Sequence, residues 1–131
     1  MATAFLKRFA AATFVCLETY RRNGQAIATP LWCAVEDGRL LFWTPRDSMK
    51  VRRARRQPTG RLAPCNATGR KILGDWCDVT ISVSEDAANV DAAHRAIHRK
   101  YGWQLTLMEK TLWLRGMHAR DFIALELKAE R

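Results

Sequence analysis

The sequence predicts a mainly β fold (β+α), with five or six antiparallel strands, a few interposed helices and one domain over residues 1–131. Three observations carry this. Residues 77–84 alternate strictly, with Cys77, Val79, Ile81 and Val83 against Asp78, Thr80, Ser82 and Ser84. This period of two marks a strand with one buried face. Turn chemistry at Asn23-Gly24, Glu36-Asp37-Gly38 and residues 66–70 separates short apolar runs. Clear helical spacing is confined to a few segments, chiefly residues 86–101. Antiparallel strands in this arrangement suggest a small barrel, which closes its own sheet edges.

In chain order, residues 5–10 are expected as a short amphipathic helix, with Phe5, Leu6 and Phe9 on one side. Residues 13–20 alternate as a strand, Val15 and Leu17 opposing Phe14, Cys16 and Tyr20. A second strand is expected over residues 25–35. Pro30 inside it cannot donate to a ladder, so that position is an edge, a bulge or a place of ligand approach. With Arg39–Trp43 these make a three-stranded meander. Asp47 or Ser48 can cap a helix running to Gln57, which Pro58 stops. A strand over 59–65 precedes the alternating strand. The 86–101 helix places Val90, Ala93, Ile97 and Tyr101 on one face and stops at Gly102. A second, more apolar helical stretch covers 103–116. Asp121–Leu127 closes the fold with Ile123, Leu125 and Leu127 inward.

Composition narrows the function. The opening MATAFLKRFAAATFVCLETY resembles a secretory signal, with Lys7 and Arg8 before an apolar stretch, but continues as a β-rich run containing Glu18. It is therefore read as part of the fold, in a cytoplasmic protein. No apolar run is long enough for a bilayer span, and no membrane partner is expected. Cys16, Cys33, Cys65 and Cys77 show no C-x-x-C pair, so no metal site is expected and reduced, buried thiols are. His94 and His98 stand four apart without a third ligand, and read as a solvated helix face beside Arg95 and Arg99.

Charge is the informative property. The net charge is +9, and residues 1–66 hold 12 Lys and Arg against 4 Asp and Glu. Six basic residues fall within 46–56. A solvated surface helix is the plain reading. Position favours another. The helix begins immediately after a strand, where free N–H groups and a partial positive charge suit phosphate. Thr44 or Ser48 can donate a hydroxyl, and Lys50 adds a point charge. Nucleic-acid binding is not expected, because no RNP-like, zinc-finger or helix-turn-helix signature accompanies the charges.

Several stretches together resemble one family. They are Leu-Glu-Thr-Tyr-Arg-Arg-Asn-Gly (17–24), Thr-Pro-Leu-Trp (29–32), Trp-Thr-x-x-x-Ser-x-Lys-Val (43–51), Ala-Pro-Cys (63–65) and Lys-Tyr-Gly-Trp (100–103). In order and spacing they resemble the pyridoxamine 5′-phosphate oxidase-like superfamily, closest to its flavin- and deazaflavin-dependent branch. The resemblance implies a six-stranded antiparallel split β-barrel and a homodimer with cofactor at the subunit interface. It also implies an oxidoreductase that moves hydride between the cofactor and a small conjugated substrate. The cofactor would be a deazaflavin coenzyme (F-420 type), whose polyglutamate tail suits the arginine-rich half, or FMN. By this resemblance Thr44, Ser48 and Lys50 hold the cofactor phosphate. Thr29, Pro30, Leu31 and Trp32 line the ring system, and Pro64, Cys65 and Asn66 lie near the ring edge. Arg52 and Arg53 help hold phosphate or the acidic tail. Glu18 departs from the branch pattern, and no residue stands out as a catalytic acid or base. Trp76 is expected over the cofactor groove. Trp103, Leu107, Leu112 and Trp113 shape a substrate pocket, or belong to core or dimer interface. The alternatives are a flavin- or haem-binding module without turnover and a basic nucleic-acid-binding protein.

Overall fold

A computed structural model describes residues 2–130. Helix α1 (Ala2–Ala10) leads into β1 (Phe14–Tyr20), β2 (Ala26–Leu31), β3 (Ala34–Glu36) and β4 (Arg39–Pro45). Helix α2 (Met49–Arg56), β5 (Thr59–Cys65) and β6 (Cys77–Ser84) follow. Helices α3 (Ala87–Tyr101) and α4 (Trp103–Leu114), a 3₁₀ turn at Ala119–Asp121 and β7 (Phe122–Ala129) complete the chain.

All seven strands form one antiparallel sheet in the order β2-β1-β5-β6-β7-β4-β3. The sequence reading of six strands is therefore corrected to seven. The expected strand over 25–35 breaks at Trp32-Cys33, and its two halves lie at opposite edges of the sheet. The meander is corrected with it. β1 pairs with β2, and β3 with β4, but β4 takes β7 as its other neighbour. The sheet curls so that one chain crossing joins its two edges, while no ladder seals them.

Local chemistry explains the turns. Asp37 and Gly38 both lie at positive φ (52° and 73°), the geometry of a two-residue hairpin that follows strand twist. Pro30 sits on edge strand β2, where one side needs no ladder. Pro64 lies in β5 beyond the β6 ladder, which ends at Leu62↔Cys77. Gly60 is required by close approach, since a Cβ there would lie 2.2 Å from the Glu18 carbonyl oxygen.

The concave side of the sheet holds the main core. Val15, Leu17, Leu40, Phe42, Leu62, Val79, Ile123, Leu125 and Leu127 meet Phe9 of α1 and Val51 and Ala54 of α2. On the convex side α3 covers β3, β4 and β7, with Ala92 and Ala93 against Leu41 and Ala124. The alternation read in β6 and β7 is thus realised: Val79, Ile81, Ile123, Leu125 and Leu127 all point inward and are buried. Helix α4 differs. Only Leu105 is buried, while Trp103, Leu107, Trp113 and Leu114 are exposed. Among the described residues no helix is long and apolar enough to cross a membrane.

Candidate functional site: a phosphate-suited cleft at the sheet edge

The site begins where β2 ends. At the Trp32-Cys33 crossing the backbone leaves one ladder before joining the next, so its polar groups need other partners. Helix α3 supplies them. Lys100 Nζ donates to the carbonyls of Cys33 (2.7 Å), Ala12 (2.7 Å) and Phe9 (3.4 Å). Burial holds the Lys100 ammonium below its ordinary pKa. Tyr101 Oη accepts from Cys33 N–H (3.2 Å) and donates to the Thr13 carbonyl (2.7 Å). Its ring stacks on Trp32, with centroids 4.3 Å apart and planes at 8°. Burial also pushes the Cys33 thiol up to about 11, so it stays protonated at neutral pH. These contacts fix the Trp32 indole as a wall.

Beside that wall lies a cleft of about 300 Å³. It brings together Pro30, Leu31, Trp32, Thr44 and Lys50 of the expected residues. Phe14, Trp43, Phe122, Met108, Leu112 and Met117 complete an apolar, aromatic lining. Thr44 is 1 % exposed, and its Oγ1 has no hydrogen-bond partner among the described residues. Ser48 stands at the N-cap of α2, but its Oγ caps nothing and is also buried without a partner. Lys50, in the first turn of α2, forms no ion pair among the described residues. Burial, and secondarily the charge of Arg53, holds its pKa below the ordinary 10.5. Two orphaned hydroxyls, an uncompensated ammonium and a helix N-terminus occur within seven residues of chain. An anionic group with several acceptor oxygens matches that set, because each donor lacks an acceptor.

Ser48 and the remaining expected residues do not line this cleft. Thr29 pairs with Leu17 farther along β2. Arg53 is buried and donates from Nε to Thr19 Oγ1 (2.7 Å). Arg52 is exposed. Pro64, Cys65 and Asn66 lie across β1, where Cys65 faces Phe14 and Pro64 faces Val15. Asn66 opens a turn that packs over Cys16 and Pro30 through Gly69. The basic run is also largely committed to structure. Arg46 and Arg55 both hold Glu85 (2.9 and 2.8 Å), and Arg56 donates to the Tyr20 carbonyl.

Two further details were not foreseen. Glu18 is buried on β1 and takes a two-pronged contact from Arg61 (2.8 and 3.0 Å), whose guanidinium lies over the Trp76 ring. Trp76 is thus engaged with Arg61. His94 is not simply solvated: its ring meets Trp43 edge-on at 4.7 Å, and Nε2 lies 3.3 Å from Glu109 Oε2. The sequence signal for Glu18 was its register opposite Arg61, which is visible only once the β1–β5 pairing is known.

No family model matches the sequence. No curated protein matches it either. Solved structures do. The haem storage protein HutZ from Vibrio cholerae aligns over 98 % of this chain and 89 % of its own, at TM-score 0.67 and 12 % identity. A candidate pyridoxamine 5′-phosphate oxidase from Listeria innocua aligns over 99 % and 94 %, at TM-score 0.66 and 15 % identity. An F420 reductase aligns over 95 % and 92 %, at TM-score 0.60 and 12 % identity. At such identities the likeness speaks for the fold alone, which this chain shares with these structures.

Proposed function

We propose that the chain is an oxidoreductase that binds a deazaflavin coenzyme or FMN by its phosphate and serves a small conjugated substrate. The observation that carries this is the orphaned Thr44 Oγ1 in a cleft that the desolvated Lys50 also lines, with a second orphaned hydroxyl, Ser48 Oγ, at the N-cap of the same helix. The cofactor, when bound, supplies hydride transfer. The chain's own residues bind and orient it. Thr44, Ser48 and Lys50 donate to phosphate oxygens, with Arg52 nearest in sequence for a further acidic group. Pro30, Leu31 and Trp32 give a flat apolar wall for the ring system. Thr29 continues the strand that carries this wall, Pro64, Cys65 and Asn66 lie across β1 from it, and Arg53 is held by Thr19. Among the described residues Lys50 is the sole titratable side chain lining this cleft, which suits a reaction whose chemistry belongs to the cofactor. A homodimer completes the reading: the exposed Trp103, Leu107 and Leu114 of α4 offer an apolar surface for a second copy. A cytoplasmic location accompanies it.

The choice of deazaflavin over FMN rests on the excess of positive charge in residues 1–66, which suits an acidic tail. A second reading, a flavin- or haem-carrying module without turnover, is favoured by the likeness to the haem storage protein. Titrating the purified protein with the deazaflavin coenzyme, FMN and haem separates these readings. Saturable binding of a flavin-type cofactor, with oxidation or reduction by a conjugated substrate, supports the first. Binding of haem alone supports the second.

A further inference from the structure

A second lobe adjoins the phosphate-suited cleft. It measures about 330 Å³ and shares Trp43, Leu112, Met117 and Phe122 with the first. The two lobes thus adjoin along Trp43, Leu112, Met117 and Phe122. That indole is held on both sides, stacked on Phe122 at 4.0 Å and met edge-on by His94. The far wall is Trp113, which α4 leaves 63 % exposed. Trp113 and Phe122, with Leu112 and Met117, give the lobe an aromatic and apolar lining that favours a flat, conjugated ligand.

Charge decides which flat ligand. Glu109, Lys110 and His118 edge the lobe. The Glu109 carboxylate is engaged by His94 Nε2. Lys110 has no ion pair among the described residues, and the His118 contact recorded there is through its backbone N–H, to Asp121. The committed group is the acid and the uncommitted groups are basic, on a chain of net charge +9. We infer that this lobe is a subsite for a planar aromatic or conjugated carboxylate, held against the exposed Trp113 and oriented by Lys110 and His118. Its meaning as a substrate site rests on the oxidoreductase reading above. The binding itself does not.

Calorimetric titration with 2-naphthoate, 2-naphthylmethanol and 2-naphthylmethylammonium tests the class. The carboxylate is expected to bind at least about tenfold tighter than the alcohol, a charge-assisted contact's effect, with the ammonium weakest. Lys110→Gln is expected to erase the advantage of the carboxylate, and Trp113→Leu to weaken all three ligands. The five tryptophans give a location check by indole N–H resonances. Those of Trp43 and Trp113 should move, and that of Trp76 should not. Lys71→Met, exposed and outside both lobes, should leave naphthoate binding unchanged. Equal or reversed ligand order, no binding, or loss of naphthoate binding in Lys71→Met would each overturn the inference. Failure of the cofactor reading looks different: naphthoate keeps its order, but neither deazaflavin nor FMN binds.

Discussion

Thr44→Val isolates the hydroxyl on which the phosphate assignment depends. The side chain is 1 % exposed and its Oγ1 has no partner, so the apo protein carries a desolvated hydroxyl with no compensating bond. Such a group costs about 1–3 kcal/mol by mutational measures, and valine keeps the shape while removing it. The apo variant should therefore be more stable, by about 1 kcal/mol or more. For a domain of this length about 1 kcal/mol corresponds to roughly 3–4 °C in Tm. Bound cofactor reverses the sign. The variant loses a hydrogen bond to a charged acceptor, about 1.5–3 kcal/mol, or roughly 10- to 150-fold in Kd. Scanning calorimetry of apo protein and cofactor titration give the two numbers. A variant that is less stable without cofactor, or that binds it as tightly as the parent, refutes the reasoning.

Other substitutions test neighbouring parts. Lys50→Met should weaken phosphate-bearing cofactors by roughly tenfold or more, with little loss of fold. It should also flatten part of the alkaline stability profile. The Lys50 pKa is lowered on folding, so between that value and 10.5 the unfolded chain binds more protons and stability rises with pH. Comparing urea midpoints of parent and variant from neutral to alkaline pH checks the sign. Arg61→Met strands the buried Glu18 carboxylate and should cost about 2 kcal/mol, much of it restored by adding Glu18→Gln; thermal unfolding of the double-mutant cycle reads this. Gly60→Ala puts a methyl 2.2 Å from the Glu18 carbonyl and should cost about 3 kcal/mol, seen as a lowered unfolding midpoint. Tyr101→Phe leaves the Cys33 N–H without its acceptor and should cost about 1–3 kcal/mol in the same assay.

What the sequence disclosed follows from the range of the forces involved. The strand Cys77–Ser84 and the face of α3 were legible because alternation and helical spacing are local signals. The break at Trp32-Cys33 was not. Residues 25–35 keep a strand's alternation throughout, and what divides them is Lys100 and Tyr101, distant in sequence, which satisfy the backbone at the crossing. The same cause hid the seventh strand and the true partner of β4. The strand end and helix start that carry Thr44, Ser48 and Lys50 were readable because they are a local arrangement. The arginines beyond them were not, since their partners Thr19, Tyr20 and Glu85 are brought by strands far along the chain. Glu18 looked anomalous for want of Arg61, and His94 looked solvated for want of Trp43 and Glu109.

The central claim is that the cleft at β4 and α2 recognises a phosphate. Its most direct test is the affinity of cofactor-free protein for FMN relative to riboflavin, and for the deazaflavin coenzyme relative to its phosphate-free core. The phosphorylated member of at least one pair should bind roughly 100-fold tighter, with Lys50→Met removing most of that difference. Equal affinities within both pairs, or a preference that survives Lys50→Met, would contradict it.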